Sequence, residues 1–199
     1  TGTENTALGY IALGDNTTGG YNVALGSRTL SASSTASNNV AVGYGALSAD
    51  TTGYHNAALG TNALGYNTGG NLNTAVGSAA LARQTTAGSN TAVGYGAGFE
   101  TTTGSINTVV GYYAFYDNTT GAYNTAIGAE ALGDNTTANH NVAIGYNSMR
   151  LNTTGTQNVA VGNYTLDANT TANNNTALGY EALTANTTGA NNTALGSQT

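Results

Sequence analysis

Residues 175–191 read NTALGYEALTANTTGAN, and the same phrase, lightly edited, runs the length of the chain. Its core, N-[TVA]-[AV]-[LVI]-G, begins at Asn5, Asn22, Asn39, Asn56, Asn73, Asn90, Asn107, Asn124, Asn141, Asn158, Asn175 and Asn192. Every interval is 17 residues, without one insertion or deletion in 199 residues. Surface loops of ordinary domains accept insertions at little cost. Strict phase therefore means that each unit is held in register by its neighbours, as in a repeat architecture.

We number the unit 1 to 17 from its Asn. Position 3 is Ala except at Val109, position 4 is always Leu, Val or Ile, and position 5 is always glycine. Position 9 is Leu in eight of eleven copies, with Gly98, Phe115 and Met149 as exceptions. Glycine at 5, Gly or Ala at 15, β-branched residues at 13 and 14, and Asn at 1 and 12 make a helix costly. Alternation with period two fits instead, and predicts a strand over positions 2 to 6. A second short strand is expected near positions 8 and 9 or through 12 to 14. Turns are expected at 5 to 7 and at Asn-Thr-Thr-Gly.

One unit is thus one coil of an all-β, parallel β-solenoid of about twelve coils. Each strand lies about 4.8 Å from its equivalent in the next coil, giving a rod of roughly 50 Å. Like residues then stack, and the twelve position-1 Asn form a structural ladder of side-chain amides. The absence of Pro follows too, because Pro would delete a ladder hydrogen bond. The chain begins and ends within a unit, so residues 1–199 read as one uncapped array, an excerpt of a longer fibre.

Two placements of the apolar residues are open. Either position 4 points inward and Ala and Gly line the outside, or Ala and Gly fill a tight coil and position 4 faces out beside Tyr10, Tyr44, Tyr95, Tyr112, Tyr146 and Tyr180. A buried Leu-sized side chain gains roughly 1.5–3 kcal/mol. A row of them left in water asks for a partner of the same length, and the simplest one is another copy of the chain.

Composition narrows the function. Leu, Ile, Val and Phe total 31 of 199 residues, but charged residues are only 6 % and the net charge is −6, so the self-repulsion typical of disorder is missing. Three Arg and no Lys cannot form a nucleic-acid surface. Cys is absent, and no apolar run approaches the roughly 18 residues of a membrane span.

NVAIGYNS (141–148), NVALGSRT (22–29) and NTALGYEA (175–182) resemble the S-V-A-I-G-x-x-A motif of trimeric autotransporter adhesin heads. The full 17-residue form resembles repeats of phage and bacterial tail-fibre or surface-fibre proteins. The resemblance covers the whole chain. It implies a left-handed β-roll with three chains around one axis, placed on a cell or virion surface. The adhesin-head unit is shorter, so the Asn-Thr-Thr-Gly segment implies a bulge or a third face.

No catalytic, cofactor or metal constellation is visible. His55 and His140 share position 17 but lie five coils apart, roughly 24 Å. Asp117 and Asp134 are adjacent at position 11, yet calcium solenoids carry Asp in every repeat. Glu130 and Glu181 are three coils apart, too far for paired acid–base work. The Asn-Thr-Thr triplets are formal N-glycosylation acceptors that turn formation explains better. The variable positions 6, 7, 10, 11, 16 and 17 carry the candidate surface contacts Tyr54, Phe99, Tyr113, Tyr116 and Tyr164. Repetition there would multiply weak contacts with a glycan or receptor. Two other readings remain: an ice-binding solenoid using Thr and Asn rows at 12 to 14, and an extracellular filament assembling end to end.

Overall fold

The computed structural model describes residues 2–199. It is a parallel β-solenoid with a single three-residue strand in each coil. The strands are β1 (Thr6–Leu8), β2 (Val23–Leu25), β3 (Val40–Val42), β4 (Ala57–Leu59), β5 (Thr74–Val76), β6 (Thr91–Val93), β7 (Thr108–Val110), β8 (Thr125–Ile127), β9 (Val142–Ile144), β10 (Val159–Val161), β11 (Thr176–Leu178) and β12 (Thr193–Leu195). They form one sheet in chain order, all parallel, with each residue paired to its counterpart 17 residues away.

The inside of the coil is narrow. Position 3 points inward: Ala24, Ala41, Ala75 and Ala92 are fully buried, and Val109 is the one larger residue there. Position 9 completes the core with Leu30, Leu47, Leu64, Phe115, Leu132, Met149 and Leu166. This decides between the two sequence placements: Ala fills the interior and position 4 faces outward.

The expected second strand is absent among the described residues, and left-handed corners replace it. Positions 7, 9 and 17 have φ near +55°, as at Arg28 (59°), Leu30 (47°) and Asn38 (59°). Such a residue costs roughly 1–2 kcal/mol when it is not glycine. What holds it is the neighbouring coil. Arg28 N–H donates to the Tyr10 carbonyl (2.8 Å), Leu30 N–H to Ala46 (3.1 Å), and Asn38 N–H to Gly20 (2.9 Å). Each corner turns the chain within one residue and keeps its amide in the ladder. Position 5 is different. Gly94 has φ +134°, and a Cβ there would lie 2.4 Å from the Gly111 carbonyl oxygen, so only glycine fits.

Two polar ladders run through the interior. At all eleven steps, the backbone N–H of a position-1 Asn donates to Oδ1 of the preceding Asn, at 2.8–3.0 Å. Its Nδ2 donates to the position-15 carbonyl of its own coil, as in Asn107 to Gly121 (3.0 Å) and Asn141 to Gly155 (2.8 Å). The amide thus ties coil to coil and closes its own coil. Asp lacks the donor, and Ser is too short to do both. Position 12 forms the second ladder: Asn169 Nδ2 donates to Asn152 Oδ1 (2.8 Å), and Asn135 Nδ2 to Asn118 Oδ1 (3.0 Å).

Candidate functional site

Two surfaces stand out. The first is the outer side of the sheet. Positions 2 and 4 project from every strand, flanked by position 6. Leu59 (50 % exposed) and Leu178 (46 %) typify the unbroken apolar column at position 4; beside it, position 2 is Thr in seven of twelve coils and position 6 is Tyr in six, such as Tyr112. None of the twelve coils places a charged residue at 2, 4 or 6. The three Arg and nine acids sit at 7, 10, 11, 12 and 17 instead. Positions 13, 14 and 16 carry no charge either, so it is the row of partly exposed Leu, Val and Ile at position 4 that marks this face as one suited to a partner.

The second surface breaks the repeat. Phe99 and Tyr116 occupy position 10 of adjacent coils and stack with ring centroids 5.1 Å apart and planes 5° from parallel. Tyr113 meets Tyr116 edge-on at 4.7 Å, and Tyr95 and Tyr112 stack beside them at 5.8 Å. The next position-10 residues are Gly133 and Arg150. The missing side chain at Gly133 leaves a cleft of about 230 Å³, lined by Tyr113, Tyr116, Asp117, Glu130, Asp134 and Arg150. Arg150 Nη1 lies 3.9 Å from Glu130 and 4.0 Å from Asp134, long pairs in exposed surroundings that hold little. Burial, then Asp134 and Glu100, push the Asp117 carboxyl above its ordinary range.

Of the five sequence candidates, Phe99, Tyr113 and Tyr116 are therefore brought together. Tyr164 lies apart, edge-on to Tyr146 at 5.3 Å, and Tyr54 packs only against His55 at 5.5 Å. In sequence Asp117 pairs with Asp134, and Glu130 with Glu181; the structure instead sets Asp117, Glu130 and Asp134 around the aromatics. The glycine at position 10 between Tyr116 and Arg150 was the available signal. Among the described residues no group of three or more His, Asp or Glu could hold a metal.

The Asn-Thr-Thr segment does not present the surface array that an Asn–Thr pairing requires. Asn67, Asn118, Asn135, Asn152 and Asn169 are fully buried, which also shuts the Asn-Thr-Thr triplets at 118, 135, 152 and 169 to glycosylation in the folded rod; Asn16 and Asn186 are half-buried. The position-13 hydroxyls donate to the next coil, as in Thr51 Oγ1 to Thr68 O (2.8 Å). Only position 14 leaves a free column, running from Thr18 through Thr188 with a gap at Gly69.

No family model, curated protein or solved structure matches the chain.

Proposed function

We propose that the chain is a structural rod of a cell or virion surface, with its strand face closed by copies of itself. Its charged side makes repeated weak contacts with a surface, glycan or receptor. The carrying observation is the partly exposed Leu/Val/Ile column at position 4 along the whole sheet, flanked by Tyr in six coils. Eleven steps of about 4.8 Å and five residues of about 3.3 Å make a face of roughly 850 Å². That is close to the roughly 800 Å² per partner of a specific interface. The fibre resemblance supports three chains about one axis.

The test is mass in solution. The native chain is expected to sediment as an oligomer, three copies by this reading. The quadruple variant Leu59→Lys, Val93→Lys, Ile127→Lys and Ile144→Lys is expected to be a folded monomer, since those side chains point away from the core. A native monomer over a hundredfold concentration range would defeat the seam. The exposed position-14 Thr column favours a second reading, ice binding. Thermal hysteresis in the same samples, retained in the Lys variant, would replace the fibre reading with that one.

A further inference from the structure

We infer that the cleft over Gly133 is a saccharide subsite for a hexopyranose carrying a protonated amine. Its shape follows from the repeat. Phe99 of the preceding coil covers one face of the Tyr116 ring. On the other side stands Gly133, whose coil contributes no side chain at this position, and then Arg150. Arg150 leans back over Gly133: its Cγ lies 3.5 Å from where a Gly133 side chain would begin, and its guanidinium reaches toward Glu130 and Asp134 of the Gly133 coil. The cleft lies between that guanidinium and the Tyr116 ring, and a flat ring packed at about 4 Å from the free tyrosine face occupies it. The walls supply acceptors along the ring's edge: Asp117 and Asp134 on one side, and Glu130 on the other.

A pyranose presents an apolar C–H face and an edge of hydroxyl donors, which matches a tyrosine floor with carboxylate walls. Charge selects among sugars. The walls hold three carboxylates against the one arginine, and Arg150 forms only the two long pairs. The upward push on Asp117 comes from burial and its acidic neighbours, a repulsion that a bound cation relieves. An ammonium group also gains from the adjacent tyrosine face. Sialylated or sulfated glycans meet like charge.

The site deepens the reading of the rod as a glycan-contacting surface, but its test does not involve the seam. Calorimetric titration at pH 6 with a fully deacetylated glucosamine trisaccharide is expected to saturate at one site per chain. The N-acetylated trisaccharide is expected to bind at least fivefold more weakly, and sialyllactose not at all. Gly133→Phe keeps every charge and places at position 10 the kind of ring that Phe99 and Tyr116 already place there. Its Cβ meets the Glu130 carbonyl at 3.3 Å and the Arg150 stem at 3.5 Å, so it is expected to fold with the arginine displaced and a small drop in melting temperature, and to lose binding. Asp134→Asn is expected to weaken binding at least fivefold. Undiminished binding in Gly133→Phe would reduce the interaction to general attraction between a polycation and an acidic protein, and overturn the site. Equal binding of the acetylated or sialylated sugar, or none of the amine, would overturn it as well. Light scattering on the same samples reports the oligomer separately, so the two readings fail independently.

Discussion

Asp50 stands where most coils place Asn in the second interior ladder. It is fully buried, and its Oδ1 accepts from Gly53 N–H (2.8 Å) and Asn67 Nδ2 (3.2 Å). Burial outweighs both bonds and pushes its carboxyl from 3.8 up to about 7. The fold thus favours the protonated acid. That contribution is complete below about pH 4, is lost as pH rises through 7, and is gone by pH 8. A shift of this size corresponds to roughly 4 kcal/mol. Melting followed by circular dichroism should show the native rod losing stability between pH 4 and 8. Asp50→Asn should remove most of that slope and melt higher at pH 8. An unchanged slope in the variant would mean that Asp50 is not the group responsible. Asp117 and Asp167 are raised in the same direction by burial, but they are more exposed and add less. The position-12 Asn was legible in sequence as a turn residue. Its burial was not, because only the path of the whole coil sets which way it points.

At the scale of the coil, the period, the parallel stacking and the strand at positions 2 to 4 all follow from residues 175–191. The alternation also reduced the packing to two choices, and the small size of Ala against Leu did not choose between them. What stayed hidden was the trio of left-handed corners. Leu at position 9 carries no preference for that backbone region; it adopts φ near +50° because the neighbouring coil takes its amide and the core takes its side chain. Local propensity, which suggested a second strand there, loses to contacts 16 to 18 residues away. Ile106 gives a direct check, being β-branched, half-exposed and held at φ 61°. Ile106→Asn, the residue that Asn38, Asn174 and Asn191 place at this corner, is expected to leave stability within about 0.5 kcal/mol, because relief of the left-handed strain offsets the loss of a half-buried side chain. Gly94→Ala, placed against the Gly111 carbonyl, is expected to prevent stable folding of that coil. A clear loss of stability in Ile106→Asn would show that the corner is not strained. The cleft was partly legible: Phe99 and Tyr116 lie 17 apart, as do Gly133 and Arg150, so a reader tracking columns would find two rings, a gap and a cation.

At the scale of the molecule, each coil touches only the one before and the one after, so stability is close to a sum over units and their interfaces. Removal of residues 56–72, one full unit, should leave a rod with the same circular dichroism spectrum, shorter by about 4.8 Å in small-angle scattering. Removal of ten residues inside that unit should break the columns at that one junction and split the melt into two separate transitions, because the coils on either side stay in phase only among themselves. If both deletions fold equally well, the columns do not govern the fold. The inter-coil hydrogen bonds, such as Thr6 N–H to Asn22 O (2.8 Å), run along the length of the rod. A force pulling its two ends apart therefore meets these bonds one coil at a time, like a zip rather than a lap joint. Each yielding coil releases 17 residues, about 55 Å of slack. A rod built this way is expected to behave as a shock absorber, giving way under sudden load in equal steps of one coil each.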